Sequence, residues 1–208
     1  MCPASPPAPP SECERRALRQ RLRAQRLALP AATRVAAAQA LLAQVEQIPE
    51  FLTDRRIAGY WATAGELPLA ALLGGIHARG QTWYLPVVQP GRLLRFAPWH
   101  MGAALAPNRY GIPEPACITA DLLAATELDV VLLPLLGFDR RGHRLGFGGG
   151  YYDRSLAFLR GRREPARPLL VGIAYALQEV PRLEAQAWDV RLDYVATERE
   201  LIHCMADG

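Results

Sequence analysis

Lysine is absent: all 24 basic residues of the 208-residue chain are arginines. That absence excludes Schiff-base chemistry, a lysine nucleophile and a lysine-bearing P-loop, so any clamp on phosphate must be built from arginine. Cysteine is scarce. The four, at 2, 13, 117 and 204, form no CxxC pair and no ligand spacing with the four histidines, which argues against a zinc site or a disulfide scaffold and for a reducing compartment. Long apolar runs are missing too: the longest, 130–136, is interrupted by Pro134 and falls far short of the roughly 20 residues a membrane helix needs. The first ten residues hold five prolines and no charged segment leading into an apolar one, so they do not read as a signal peptide. The expected organisation is a disordered proline-rich leader over 1–11 and one domain over 12–208, cytoplasmic and monomeric, with neither membrane nor nucleic acid as partner.

Composition supplies the core, with 50% hydrophobic and 21% charged residues. Charge is unevenly placed. Residues 12–34 carry seven arginines against two glutamates, a local +5 in a chain of net charge +4, so the rest sums to −1. One basic helix on a near-neutral body suits a local phosphate site as well as a nucleic-acid surface, and composition alone leaves both open.

Ser11 and Glu14 make a capping box, and Leu18, Leu22 and Leu29 give the following segment a narrow apolar stripe, which predicts a helix starting near residue 12 and ended by Pro30. Val35, Leu41, Leu42 and Val45 predict a second helix before Pro49. Short apolar or β-branched runs at 57–61, 82–88, 93–97, 130–136, 169–175 and 194–197 read as strands. Helical spacing recurs at 67–79, 119–125 and 151–160. Alternating strand and helix predicts a three-layer α/β/α sandwich with a mostly parallel sheet, and the run at 130–136, apolar rather than alternating, predicts a central strand covered on both faces. Ligands in such sheets sit beyond the carboxyl ends of strands, which directs attention to the segment after Leu136.

That segment, 137–156, reads GFDRRGHRLGFGGGYYDRSL and has six glycines before a helix starting near Tyr151. Gly146, Gly148, Gly149 and Gly150 are expected to turn with positive φ and bring bare amides against an anion at a helix N-terminus. Arg144 can bond phosphate bidentately, and Asp153 can hold a divalent cation shared with it. A flexible connection with a capping aspartate is the plain alternative. Strand, glycine loop, arginine and aspartate in that order favour a nucleotide with magnesium.

The loop resembles the signature of the 5-formyltetrahydrofolate cyclo-ligase family. RRALR at 15–19, Glu66 past the first strand, YGIPEP at 110–115 and WDVRLDYVATE at 188–198 extend the resemblance over nearly the whole chain after the leader. It implies an ATP- and Mg2+-dependent ligase that converts 5-formyltetrahydrofolate to 5,10-methenyltetrahydrofolate and releases ADP and phosphate. It further implies that ATP meets Arg15, Arg19, Arg144, Leu145, Gly146, Phe147, Gly148, Gly149, Gly150, Tyr151 and Tyr152. Arg144 and Asp153 would be catalytic, Asp153 and Asp189 would bind the metal, and Trp61, Glu66, Gly149 and Tyr151 would meet the folate. Some members carry lysine at the position of Gly149 and another basic residue at that of Phe147. This chain has the glycine-only form.

Plainer roles stand beside these. Glu66 could cap a helix running from Leu67, Asp189 and Asp193 could be exposed carboxylates flanking a final strand, and His143 is expected to face solvent. Of Tyr60, Trp61, Tyr84, Trp99 and Tyr110, only Trp61 is assigned to substrate, because aromatics beside strands are commonly core. A non-catalytic nucleotide- or folate-binding module, or an RNA-binding relative, is the alternative function. The carboxylates favour the enzyme, since a charge-driven RNA groove gains nothing from them.

Overall fold

The structure, a computed structural model, describes residues 12–116, 121–161 and 166–204. Proline sets the first boundaries. Helix α1, Glu12–Leu27, has two glutamates in its first turn and Arg26 in its last, the order a helix dipole favours. Pro30 then precedes α2, Ala31–Val45, and Pro49 opens the short α3, Pro49–Thr53, where its missing N–H costs nothing. The remaining helices are α4, Ala70–Ala78, and α5, Tyr151–Ser155.

Seven strands form the main sheet: β1 (Arg56–Ala58), β2 (Thr82–Gln89), β3 (Leu93–Pro98), β6 (Val130–Pro134), β9 (Leu169–Ile173), β10 (Tyr194–Ala196) and β11 (Leu201–His203). Their order is β11-β10-β9-β6-β1-β2-β3. The five inner strands are parallel, and β3 and β11 close the edges antiparallel. Strand β6 lies in the middle, as its sequence implied. Val130 and Leu132 face a core with Leu41, Val45, Phe51 and Leu72 of the helices, whereas Val131 and Leu133 face a second core with Phe96, Phe138, Leu156 and Leu159. All four strand residues are fully buried. The fold is thus α/β with a mostly parallel sheet.

Boundaries differ from expectation where backbone chemistry intervenes. The helix expected from Leu67 starts at Ala70, because Pro68 disfavours helical backbone at Leu67. The helix expected over 151–160 ends at Ser155 and tightens into a 3-10 turn at Ala157–Leu159, which lets Leu156 and Leu159, three apart, both reach the core. Of the helix expected at 119–125, residues 119 and 120 lie outside the described residues, and a 3-10 turn forms at Ala125–Glu127. Two small hairpins were not foreseen, β4 (Leu105–Pro107) with β5 (Pro113–Pro115) and β7 (Gly137–Phe138) with β8 (Arg144–Leu145). Strands of two or three residues are too short to leave a periodic signal. The leader 1–11, Ser11 of the capping box included, is outside the described residues. Among those residues no helix is long and apolar enough to cross a membrane.

Candidate active site

The parallel strands β1, β6 and β9 end on the same edge of the sheet. After β6 the chain folds back through the β7–β8 hairpin, and a single carboxylate ties that hairpin down. Asp139, 1% exposed, accepts hydrogen bonds from the backbone N–H of Arg141 and His143 (both 3.1 Å), from the Arg141 guanidinium (2.9 Å) and from the Leu183 N–H (2.9 Å). His143 Nδ1 lies 3.2 Å from the same carboxylate, so this histidine is turned inward rather than to solvent. Burial opposes ionisation of Asp139, but the bonds from His143, Leu183 and Arg141 outweigh it and hold the carboxyl well below the usual range. A depressed pKa contributes stability in full above the unfolded value of about 4, and loses it as pH falls further. Asp139→Asn would put an NH2 group against the Arg141 and Leu183 donors. It is expected to lower stability by about 3 kcal/mol at neutral pH, with parent and variant denaturation curves converging in strong acid; equal acid sensitivity in both proteins would refute this.

From that anchored hairpin Arg144 points inward. It is 7% exposed, and its guanidinium donates to the Val190 carbonyl and pairs with Asp153. Burial lowers its pKa, while Asp153 and then Asp189 oppose that shift. Arg144 is therefore a buried cation paired with Asp153 and also feeling the charge of Asp189.

The glycine run follows. Positive φ occurs at Gly148 (93°) and Gly150 (69°) only, so the expectation of left-handed backbone at Gly146 and Gly149 is corrected. Gly148, Gly149 and Gly150 line a cavity of about 450 Å³ with Asp153, Trp188 and three arginines, Arg92, Arg154 and Arg160. Because α5 spans only five residues, its dipole is small, and the positive charge of the cavity comes from these arginines. Arg92, from the β2–β3 turn, and Arg160 carried no motif, and Arg154 lies in the glycine-loop segment without having been assigned a role.

Helix α1 lies against this region. Arg15 donates to the Glu184 carbonyl at 2.9 Å and stands 4.0 Å from Asp189, while Arg19 donates to the Gly146 carbonyl at 3.1 Å and to Glu12 at 2.9 Å. Arg15, Arg19, Gly146, Arg144, Asp153 and Asp189, far apart in sequence, thus meet. Asp193 does not join them, and it is not an exposed carboxylate: it accepts from Leu170 N at 2.7 Å inside the sheet.

Glu66 lies in the segment between β1 and α4 and is half-buried. Its carboxylate accepts from Thr63 N at 2.8 Å, within its own turn, and so does not cap α4. Burial raises its pKa against the opposing bond from Thr63 and the charge of Arg26. Tyr152 feels charge from both directions, its hydroxyl pushed up by burial and by Glu66 and pulled down by Arg144. Trp61 is 39% exposed, packed edge-on to Trp99 at 5.9 Å. Tyr60 is core, donating to the Leu67 carbonyl. Tyr110 of the YGIPEP segment and Arg109 just before it both reach the Tyr151 hydroxyl, at 2.5 and 2.9 Å.

No group of three or more His, Cys, Asp or Glu suited to a metal occurs among the described residues. Magnesium shared with a nucleotide needs no such cage: it takes one or two carboxylates and draws its other oxygens from phosphate and water. Asp153 and Asp189, both partly exposed and both flanking Arg144, fit that donor set.

Comparison with known proteins gives a consistent result. The model of the 5-formyltetrahydrofolate cyclo-ligase family matches residues 11–198. A 5-formyltetrahydrofolate cyclo-ligase of Haemophilus influenzae is 32% identical over 181 residues, 86% of this chain and 95% of that protein. One from Escherichia coli is 36% identical over 152 residues, 72% and 81% of the two chains. The NMR structure of Aquifex aeolicus 5,10-methenyltetrahydrofolate synthetase matches with a TM-score of 0.77 at 29% identity, covering 93% of this chain and 94% of that one. With α1, the glycine loop and both candidate metal aspartates inside the matched span, the chain belongs to the 5-formyltetrahydrofolate cyclo-ligase family and is a ligase.

Proposed function

We propose that residues 12–208 act as one catalytic unit that converts 5-formyltetrahydrofolate to 5,10-methenyltetrahydrofolate with release of ADP and phosphate. The observation that carries this is an arginine-lined glycine cavity whose Asp153 pairs with Arg144, next to Tyr152, whose hydroxyl feels the charges of both Arg144 and the half-buried Glu66. The carboxylates of Glu66, Asp153 and Asp189 argue against a nucleic-acid groove.

The reaction explains this division. A formamide carbon cannot be closed onto N10 directly, because hydroxide or oxide would have to leave. Transfer of the γ-phosphoryl of ATP to the formyl oxygen gives an iminium phosphate and ADP. N10 then attacks the activated carbon, loses its proton, and phosphate departs as the methenyl bridge forms. No protein nucleophile is involved. The chain's task is to place two ligands and to neutralise charge on the phosphoryl oxygens.

In this reading the amides at 148–150 and Arg92, Arg154 and Arg160 hold the nucleotide, with Arg15 and Arg19 closing on it from α1. Arg144, with the counter-charges of Asp153 and Asp189, faces the reacting phosphate. Glu66 and Trp61 hold the pterin, with Gly149 and Tyr151 bordering both ligands. Asp153 and Asp189 would hold Mg2+, which supplies positive charge to the phosphates when bound.

The test is near-UV absorbance of the purified protein with 5-formyltetrahydrofolate and magnesium ATP, in which the methenyl product has its own chromophore. Product is expected only with both ATP and a divalent cation; undiminished formation in excess chelator would remove the metal from the scheme, and no product at all would remove the activity. Glu66→Gln separates the two ligands. It is expected to weaken folate binding by about tenfold or more and to leave ATP binding nearly intact, with a melting temperature equal to or above the parent's, since it relieves a buried charge. Unchanged folate affinity would reduce Glu66 to a partner of Thr63.

A further inference from the structure

We propose that Arg26 is a positioning residue that couples the nucleotide and folate halves of the site, so that occupation of one tightens the other. The inference rests on the functional reading above, which assigns Arg26 no role.

Arg26 is 1% exposed, at the last turn of α1. A buried guanidinium is costly unless its charge is met; no direct ion pair with Arg26 occurs among the described residues, and the charge of Glu66 offsets its burial only in part. Its Nε has no partner. What it does touch comes from three loops. NH2 donates to the Ala64 carbonyl at 3.0 Å, NH1 approaches the Leu135 carbonyl at 3.3 Å, and the Phe147 ring lies over the guanidinium at 5.3 Å. The first two loops leave the carboxyl ends of β1 and β6 and the third follows β8, and two of the three carry residues of the proposed ligand sites.

Two of the three contacts fall on the loops that carry proposed ligand residues, and the third on a fixed strand end. Ala64 is a non-glycine residue at φ 47°, followed by Gly65 at φ 79°, a strained turn that leads directly into Glu66. That turn rests on α1: a Cβ on Gly65 would meet the Arg26 carbonyl at 3.5 Å. Phe147 belongs to the glycine loop and is 48% exposed, so apart from the cation below it much of its ring is free. The Leu135 carbonyl is also bonded by Gln178 at 2.8 Å and is the rigid member of the three. Arg26 therefore references a strained folate-side turn and a half-free nucleotide-side ring to one fixed strand end. Ordering either loop on its ligand orders Arg26, and the second ligand then meets a loop already in place.

The experiment is calorimetric titration of the β,γ-imido analogue of ATP, with magnesium, in the absence and presence of saturating 5-formyltetrahydrofolate. In the parent protein the folate is expected to tighten the analogue by about fivefold or more. In Arg26→Met, which fills the volume without charge or fork, that factor is expected to fall to about one, with each ligand alone bound within about threefold of the parent. Arg26→Lys, which keeps the charge but cannot span both carbonyls, is expected to lie between them. If Arg26→Met does not fold, Phe147→Leu tests the same link from the other side and is expected to lower the factor too. Absence of coupling in an active parent, or coupling intact in Arg26→Met or in both of the other variants, would overturn the proposal while the functional reading stood. An inactive parent would overturn both.

Discussion

Asp153→Asn is expected to lower turnover by about 100-fold or more, and Asp189→Asn by a comparable factor, with both proteins still folded. Neither change empties volume. An asparagine retains one side-chain oxygen, which at position 153 can still accept from Arg144 and at position 189 from Gln186 N, the bond that Asp189 makes at 2.9 Å. What each substitution removes is a negative charge beside a buried guanidinium and one hard oxygen for magnesium. The two consequences separate in a magnesium titration. A lost metal ligand shows as a higher magnesium requirement with partial recovery at saturation, whereas a disturbed Arg144 shows as a loss that magnesium does not repair. Either variant keeping full rate at low magnesium would end that residue's assignment.

Gly149→Val is expected to weaken ATP binding by about 100-fold or more, with a melting temperature close to the parent's because the loop makes few core contacts. Its φ is not in the left-handed region, so the argument is steric and not conformational. A Cβ at 149 stands 3.0 Å from the Tyr151 ring, and the ring is itself held by Arg109 and Tyr110 through its hydroxyl. The branched methyls then have to occupy the cavity that Gly149 lines. Gly149→Lys is the companion, since some family members carry lysine there. Lysine accepted and valine refused means that position 149 faces phosphate and that charge can substitute for close approach. Equal tolerance of both, measured by ATP calorimetry, would refute the cradle.

The sequence was legible wherever a signal repeats or a motif is local. Strand β6 announced its central position because four successive apolar residues need cover on both faces, and Pro30 and Pro49 marked helix ends by backbone chemistry alone. The glycine loop and Asp153 were legible as one contiguous string. Arg92, Arg154 and Arg160 were not, because three arginines among 24 carry no spacing that tells a cavity wall from a solvated surface. The inward turn of His143 was equally hidden: it depends on Asp139 being buried by a segment some forty residues downstream. Arg26 read as one more polar position on an amphipathic helix, and only the packing of three loops distinguishes it from Arg23, which is exposed.

Helix α1 is attached differently from the rest of the molecule. Its one buried apolar residue, Leu22, belongs to a small satellite cluster with Leu145, Val180 and Leu183, apart from both cores that flank the sheet. Its other ties are arginine contacts to loop carbonyls and acidic side chains. A segment held in this way has a local opening free energy well below that of the sheet, so it detaches in rare excursions that leave β6 and its neighbours intact. On the proposed reading, in which Arg15 and Arg19 close on the nucleotide, ligand binding is expected to suppress those excursions by mass action. The bond between Arg16 and Ala17, on the helix exterior, then becomes a site where trypsin reports occupancy, cut first in the empty protein and last when both ligands are bound.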